Sequence, residues 1–244
     1  MSRRGTKETA NVIKPRGGLA VMQQRREPPD SLDFFPTPPW ATRALIEHII
    51  KPRSACLISV WEPAAGAGHM ADVLRESFAK VHASDVWDYG RGYQIWSFTA
   101  ERVGLVDDMA RWPGPVAPDW IITNPPFNEA EAFARRGVRE AQRGVALLVR
   151  SSWLEGVGRY EELFSKIPPA VVAMFVERVP MVKGRWDPDA STATSYAWVV
   201  WDRVHDGPTQ FAWIPPGCRE KLTKPTDRRT FAPETVPGLA ETMI

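Results

Sequence analysis

The sequence predicts an α/β protein: a doubly wound, mostly parallel sheet with helices on both faces. Three observations predict it. Apolar runs of strand length alternate with stretches of helical periodicity between about residues 40 and 201. A Gly66-x-Gly68 loop lies between one such run and one such helix. The run ending at Thr123 carries a proline-stiffened loop at its C-terminal end, where open α/β sheets bind ligands.

The elements follow in order. Asp33-Phe34-Phe35-Pro36-Thr37-Pro38-Pro39 leads into a helical pattern from Trp40 to Ile50, with Ala41, Leu45, Ile46, Ile49 and Ile50 at helical spacing and Lys51-Pro52 as its stop. Cys56 to Trp61 reads as a strand closing on Glu62-Pro63-Ala64-Ala65-Gly66-Ala67-Gly68, followed by a helix with Met70, Val73, Leu74 and Phe78 on one face. Val81 to Ala83 is a second strand, with Asp85 just beyond it. After a tryptophan-bearing loop, Val103 to Val106 is a short strand ending at Asp107-Asp108. Ile121 to Thr123 then carries Asn124-Pro125-Pro126-Phe127. Glu129 to Gln142 is a helix with Phe133, Ala134 and Val138 inward and Arg135, Arg136, Arg139 and Arg143 outward. Val145 to Val149, Val171 to Val176 and Tyr196 to Trp201 are strands, with a helix around Glu161 to Lys166. Beyond Arg203, Phe211 to Ile214 is expected to add one edge strand before an irregular path over the surface.

Composition bounds the answer. At 244 residues, with 43% hydrophobic and 25% charged residues, the chain suits one large soluble domain with tails. Its two cysteines, Cys56 and Cys218, lack paired spacing, and His48, His69, His82 and His205 are scattered. Neither a disulfide framework nor a metal site is indicated. No apolar stretch is long enough to span a membrane and the N-terminus lacks the apolar core of a signal peptide, so a cytoplasmic location is expected. The formal net charge is +2. Within residues 1–30, seven basic residues face three acidic ones, giving +4 and leaving −2 for the remainder. The expected organisation is a basic arm over residues 1–32, disordered without a partner, a domain over 33–203 and a proline-rich extension over 204–244. The arm suits either a nucleic-acid backbone or plain solvent.

Two loops carry the chemistry. In Asn124-Pro125-Pro126-Phe127 the prolines fix φ and donate no hydrogen bond, so the loop is rigid, rich in acceptors and flat-faced. It suits a planar amino-bearing group such as adenine, its NH₂ on Asn124 and its ring on Phe127. As a bare dipeptide, Asn-Pro is also a common turn starter. The Gly66-x-Gly68 loop with Asp85 about 20 residues on fits both dinucleotide and S-adenosylmethionine sites, which share the strand–glycine–helix plan and an acid for ribose hydroxyls. Glu62 separates them, since its carboxylate suits an ammonium-bearing ligand and repels a pyrophosphate. A whole helix and an aromatic segment before the first strand point the same way. Asp108, followed by apolar Met109, is the expected acceptor for the amino group of the cofactor's adenine.

On these motifs the chain resembles the S-adenosylmethionine-dependent amino-group methyltransferases, specifically the N6-adenine DNA methyltransferases of small phage type. Phe35-Pro36-Thr37-Pro38 resembles the family's cofactor-binding segment, with Phe35 and Thr37 the residues carried over. Glu62-Pro63-x-x-Gly66-x-Gly68 resembles its glycine loop, with glutamate where many members have aspartate. Asn124-Pro125-Pro126-Phe127 matches its catalytic loop. Met181-Val182-Lys183-Gly184 and Ser195-Tyr196-Ala197-Trp198 look like segments lining the base pocket, although Tyr196 and Trp198 equally suit a packed strand.

The resemblance covers roughly residues 33–203. It implies a Rossmann-like sheet of seven strands, the last antiparallel, with S-adenosyl-L-methionine as cofactor and nucleic acid, foremost DNA, as partner. It implies no metal. An adenine N6 lone pair is delocalised into the ring. Acceptors at the Asn124 side-chain oxygen and the Pro125 carbonyl would bind its N–H groups and stabilise charge developing on that nitrogen. In a duplex the base must be flipped out at a cost of a few kcal/mol, and stacking on Phe127 returns about 1–3 kcal/mol. Other readings stay open: an RNA adenine methyltransferase, a protein glutamine methyltransferase, whose loop usually ends in tyrosine, and a noncatalytic nucleic-acid-binding relative.

Overall fold

A computed structural model describes residues 33–52, 57–99 and 117–232. The basic arm, Cys56, the expected strand at Val103 to Val106, Asp107, Asp108 and the chain beyond Ala232 lie outside the described residues.

The described strands form one eight-stranded sheet in the order β3–β2–β1–β4–β5–β7–β6–β8. They are β1 (Ser59–Glu62), β2 (Lys80–Asp85), β3 (Gln94–Ile95), β4 (Trp120–Thr123), β5 (Gly144–Arg150), β6 (Val171–Phe175), β7 (Tyr196–Asp202) and β8 (Gln210–Ile214). β7 runs antiparallel to β5 and β6, and all other pairs are parallel. The sheet has one strand more than the seven implied. β8 lies parallel to and beyond β6, so antiparallel β7 is not the final strand. The place beside β2 is held by Gln94–Ile95, within the segment expected to be a loop.

Helices cover both faces, as the alternation predicted. They are α1 (Pro39–Leu45), α2 (His69–Leu74), α3 (Ala130–Glu140), α4 (Val157–Arg159), α5 (Cys218–Leu222) and α6 (Asp227–Phe231). α1 runs on as a π-type turn over Ile46–Ile50, ended by Lys51 in the left-handed region ahead of Pro52. Alternate residues of the central strands face opposite cores. Ala146 and Leu148 of β5 join Trp40, Leu45, Met70 and Trp198 on one side. Val145, Leu147 and Val149 join Trp61, Phe133, Leu163 and Trp201 on the other.

Two sequence expectations are corrected. Arg136 of α3 is buried, not outward, with its guanidinium over the Phe98 ring at 5.2 Å and Glu140 at 3.7 Å. A helix places it on the rim of the apolar face, where a paired, stacked arginine is tolerated. The chain after Ile214 is not irregular. α5 packs on α1, and Phe231 of α6 joins Val73 and Trp186 in a small core.

Candidate active site at the carboxyl edge of the sheet

Because β1, β2, β4 and β5 are parallel, their C-terminal ends share one edge, which gathers Glu62, Asp85, Asn124 and Arg150. The loop after β1 turns through Gly66 (φ 52°) and Gly68 (φ 86°) into α2. Glycine is required at both positions: a Cβ at Gly66 would stand 2.6 Å from the Phe34 ring, and one at Gly68 would collide with the Tyr93 hydroxyl. Asp85 fixes this loop from the end of β2. Its Oδ2 accepts the Gly66 amide (2.8 Å) and its Oδ1 accepts the Trp87 amide (3.0 Å). A carboxylate offers about four lone-pair sites, so further donors such as ribose hydroxyls can still be accepted. Burial raises the Asp85 pKa against these backbone bonds.

Glu62, the last residue of β1, is 2% exposed, and its Oε2 has no hydrogen-bond partner among the described residues. Burial, helped by the charge of Asp85, pushes its pKa well above the ordinary carboxylate range. A buried carboxyl with an empty acceptor beside a glycine loop is a ready site for a cation. The groups present therefore fit the ammonium end and the ribose of S-adenosylmethionine.

Asn124 stands at the end of β4. Its Nδ2 donates to the Phe35 carbonyl at 2.9 Å and lies 3.6 Å from the Met181 sulfur. This fixes the amide orientation, since a flipped amide would set oxygen against a carbonyl oxygen. Oδ1 is then left buried with no partner among the described residues. Pro125 is buried, and the Pro126 carbonyl accepts the Glu129 amide at 2.9 Å, turning the chain into α3. The Phe127 amide donates to Asp33 Oδ2 at 2.7 Å. The Phe127 ring meets Phe35 at 5.2 Å between centroids, and the Arg150 guanidinium lies 3.8 Å over it. Beside the ring is a cavity of about 210 Å³ walled by Pro125, Phe127, Val149, Arg150, Trp153 and Arg159. It is smaller than the roughly 300–1,000 Å³ of pockets for drug-sized ligands, a size suited to one small planar group.

The expected site residues thus fall into two adjoining groups. Glu62, Gly66, Gly68 and Asp85 form one. Asn124, Pro125, Pro126 and Phe127 form the other, and Phe35 reaches it through its carbonyl and ring. Thr37 is buried two residues ahead of α1, with no hydrogen bond to either group among the described residues. Asp108 lies outside the described residues. Met181 reaches Asn124, while buried Tyr196 lies within hydrogen-bond reach of Arg150 and buried Trp198 donates to the Ala41 carbonyl, inside the core.

Sequence reasoning missed five contributors. Asp33 anchors the Phe127 amide, and Phe34 covers Gly66 with Tyr89 packed on it at 4.7 Å. Tyr93 closes over Gly68. His69 binds the Phe231 carbonyl through Nε2 at 3.0 Å. One signal was available: Tyr89-Gly90-Arg91-Gly92-Tyr93 carries glycines at positive φ on either side of Arg91, which let the loop fold back over its neighbour.

The structure is similar to the methyltransferase subunit of a type I restriction-modification system from Streptococcus thermophilus (TM-score 0.54, 10% identity, 73% of this chain and 47% of that one). It is similar also to a Listeria monocytogenes protein provisionally assigned as a class I S-adenosylmethionine-dependent methyltransferase (TM-score 0.50, 12% identity, 82% and 70%). The chain spans about half the length of the restriction-modification subunit it matches. No protein-family model and no curated protein matches the sequence. At these identities the likeness concerns the fold, which is the Rossmann-like fold of class I S-adenosylmethionine-dependent methyltransferases.

Proposed function

We propose that this chain transfers a methyl group from S-adenosyl-L-methionine to the exocyclic N6 amine of adenine in DNA. The observation that carries the reading is the Asn124 amide, its Nδ2 tied to the Phe35 carbonyl and its Oδ1 buried without a partner among the described residues, directly ahead of two prolines and an aromatic ring. A buried acceptor without a donor costs roughly 1–3 kcal/mol, which a bound N–H would recover. Asn124 Oδ1 accepts a hydrogen bond from one amine N–H, the Pro125 carbonyl accepts one from the other, and Phe127 supplies a stacking face; the methylated nitrogen then releases one proton to solvent. When bound, the cofactor's sulfonium supplies the electrophilic methyl group. Glu62 would hold its ammonium end and Asp85 its ribose, and Gly66 and Gly68 would let the backbone come close. Alignment and a preorganised acceptor are the chain's own contributions to the rate.

The test is methyl transfer from labelled S-adenosylmethionine to DNA, RNA and protein pools, with mass spectrometry of the product. N6-methyladenine in DNA is expected. Asn124→Ala should lower it at least about 100-fold, the loss found when one preorganised hydrogen-bonding group is removed. Cofactor binding should survive that substitution. Methyl-glutamine as the only product would reject the nucleic-acid reading, and N6-methyladenine confined to RNA would move it to that polymer.

A further inference from the structure

Phe127 is the face on which the proposed function stacks a target base, yet it is not bare. The Arg150 guanidinium, itself planar, lies 3.8 Å over the ring centroid. Arg150 ends β5, pairs in register with Tyr196 of β7 and bonds to its side chain. Its own side chain is exposed, and no carboxylate pairs with it among the described residues. Arg150 also lines the cavity beside Phe127. An arginine without a carboxylate partner, at the lip of a proposed nucleic-acid site, has an obvious second partner in a phosphate, with which its fork can form two parallel hydrogen bonds.

We infer that Arg150 is a stand-in for the target base: in the free protein it occupies the stacking face of Phe127, and on duplex binding it yields that face to the extruded adenine and moves to the adjoining phosphate. This rests on the reading of the site as an adenine methyltransferase acting on DNA. In this role Arg150 is a positioning residue. It keeps an aromatic ring covered when no base is present, and it couples base entry to one additional phosphate contact. That contact forms only once the face is vacated.

Two measurements on the full chain test it. The first is methyl-transfer kinetics on plasmid DNA at several salt concentrations for wild type, Arg150→Ala and Arg150→Lys, with cofactor binding as the folding control. Arg150→Ala should raise KM for DNA about tenfold with kcat within about twofold. It should also reduce the slope of log(kcat/KM) against log[salt] by about 0.9, the amount due to one phosphate. Arg150→Lys should restore the slope. The second is the Arg150 Nε–H resonance in arginine-labelled protein. The Phe127 ring current shifts it upfield in the free chain, and it should return to the ordinary range when duplex DNA is added. A resonance that stays upfield at saturating DNA, or an Arg150→Ala slope and KM equal to wild type, overturns the inference while leaving the methyltransferase reading intact. A wild-type chain that methylates no DNA overturns both together.

Discussion

The Glu62 carboxyl sits at the end of β1 with Oε2 unpartnered among the described residues, and burial holds its pKa well above the ordinary carboxylate range. The sign of the linkage follows. The folded chain prefers the neutral acid, so the favourable contribution is complete below the unfolded pKa and is lost as pH rises through the raised folded value. Glu62→Gln should therefore raise the melting temperature of the free chain above that pKa. It should also weaken S-adenosylmethionine binding about 10- to 100-fold, because a charge-assisted hydrogen bond of about 1.5–3 kcal/mol is lost. Wild-type affinity should climb as pH rises through the Glu62 titration. The Glu62→Gln variant, neutral at every pH at that position, should show no such climb. Calorimetry across pH measures both, and a pH-independent wild-type affinity would count against Glu62 as the ammonium ligand. The residue types at Glu62, Gly66, Gly68 and Asn124 were legible in the sequence because each belongs to a local motif. The Arg150–Phe127 stack was not, because it joins the ends of two strands that are neighbours only once β4 and β5 pair.

At the scale of elements, Arg43 of α1 ties three pieces of chain together. It bonds Glu76 beyond α2 (Nε 2.8 Å, Nη2 2.7 Å), Asp227 at the start of α6 (Nη1 2.6 Å, Nη2 2.8 Å) and the carbonyl of Leu222 at the end of α5. Asp227 is 1% exposed, so removing its partner strands a buried charge. Arg43→Ala should cost about 3–5 kcal/mol in denaturant unfolding, and the double variant Arg43→Met with Asp227→Leu should recover much of it. Burial would raise the Glu76 pKa, but hydrogen bonds from Arg43 and Lys224 outweigh it and hold the pKa below the ordinary range. The stability Glu76 contributes should therefore be lost as pH falls through its folded-state value, and Arg43→Ala should flatten that acid limb. Sequence periodicity found α1, α2 and α3 because helical apolar spacing runs from Ala41 to Ile50, from Met70 to Phe78 and from Phe133 to Val138. It missed α5 and α6 because five residues carry no period. Their stability comes from Arg43, from the packing of α5 on α1 and from the ring of Phe231.

At the scale of the whole molecule, the extension after β7 returns to the beginning of the domain. Phe231 packs against Val73 and Trp186, and its carbonyl accepts the Nε2 proton of His69, the residue directly after Gly68. The glycine loop is thus braced from the far end of the described chain. Phe231→Ala should cost about 3 kcal/mol, the low end for a buried ring, and should weaken cofactor binding without touching the ligand. Loss of stability with unchanged affinity would show that the brace is only structural. The doubly wound sheet was readable because strand-length apolar runs alternate with helical stretches along the chain. The brace was not, because nothing near Phe231 in sequence marks the residue 162 positions earlier that it holds.

That brace also sets an order in time. Phe231 is synthesised 165 residues after Gly66. At about 5–20 residues per second the gap is roughly 8–33 s. During that interval a nascent chain carries the loop without its support. Firm closure of the glycine loop therefore waits until the chain has been extended past Phe231 and α6 has docked.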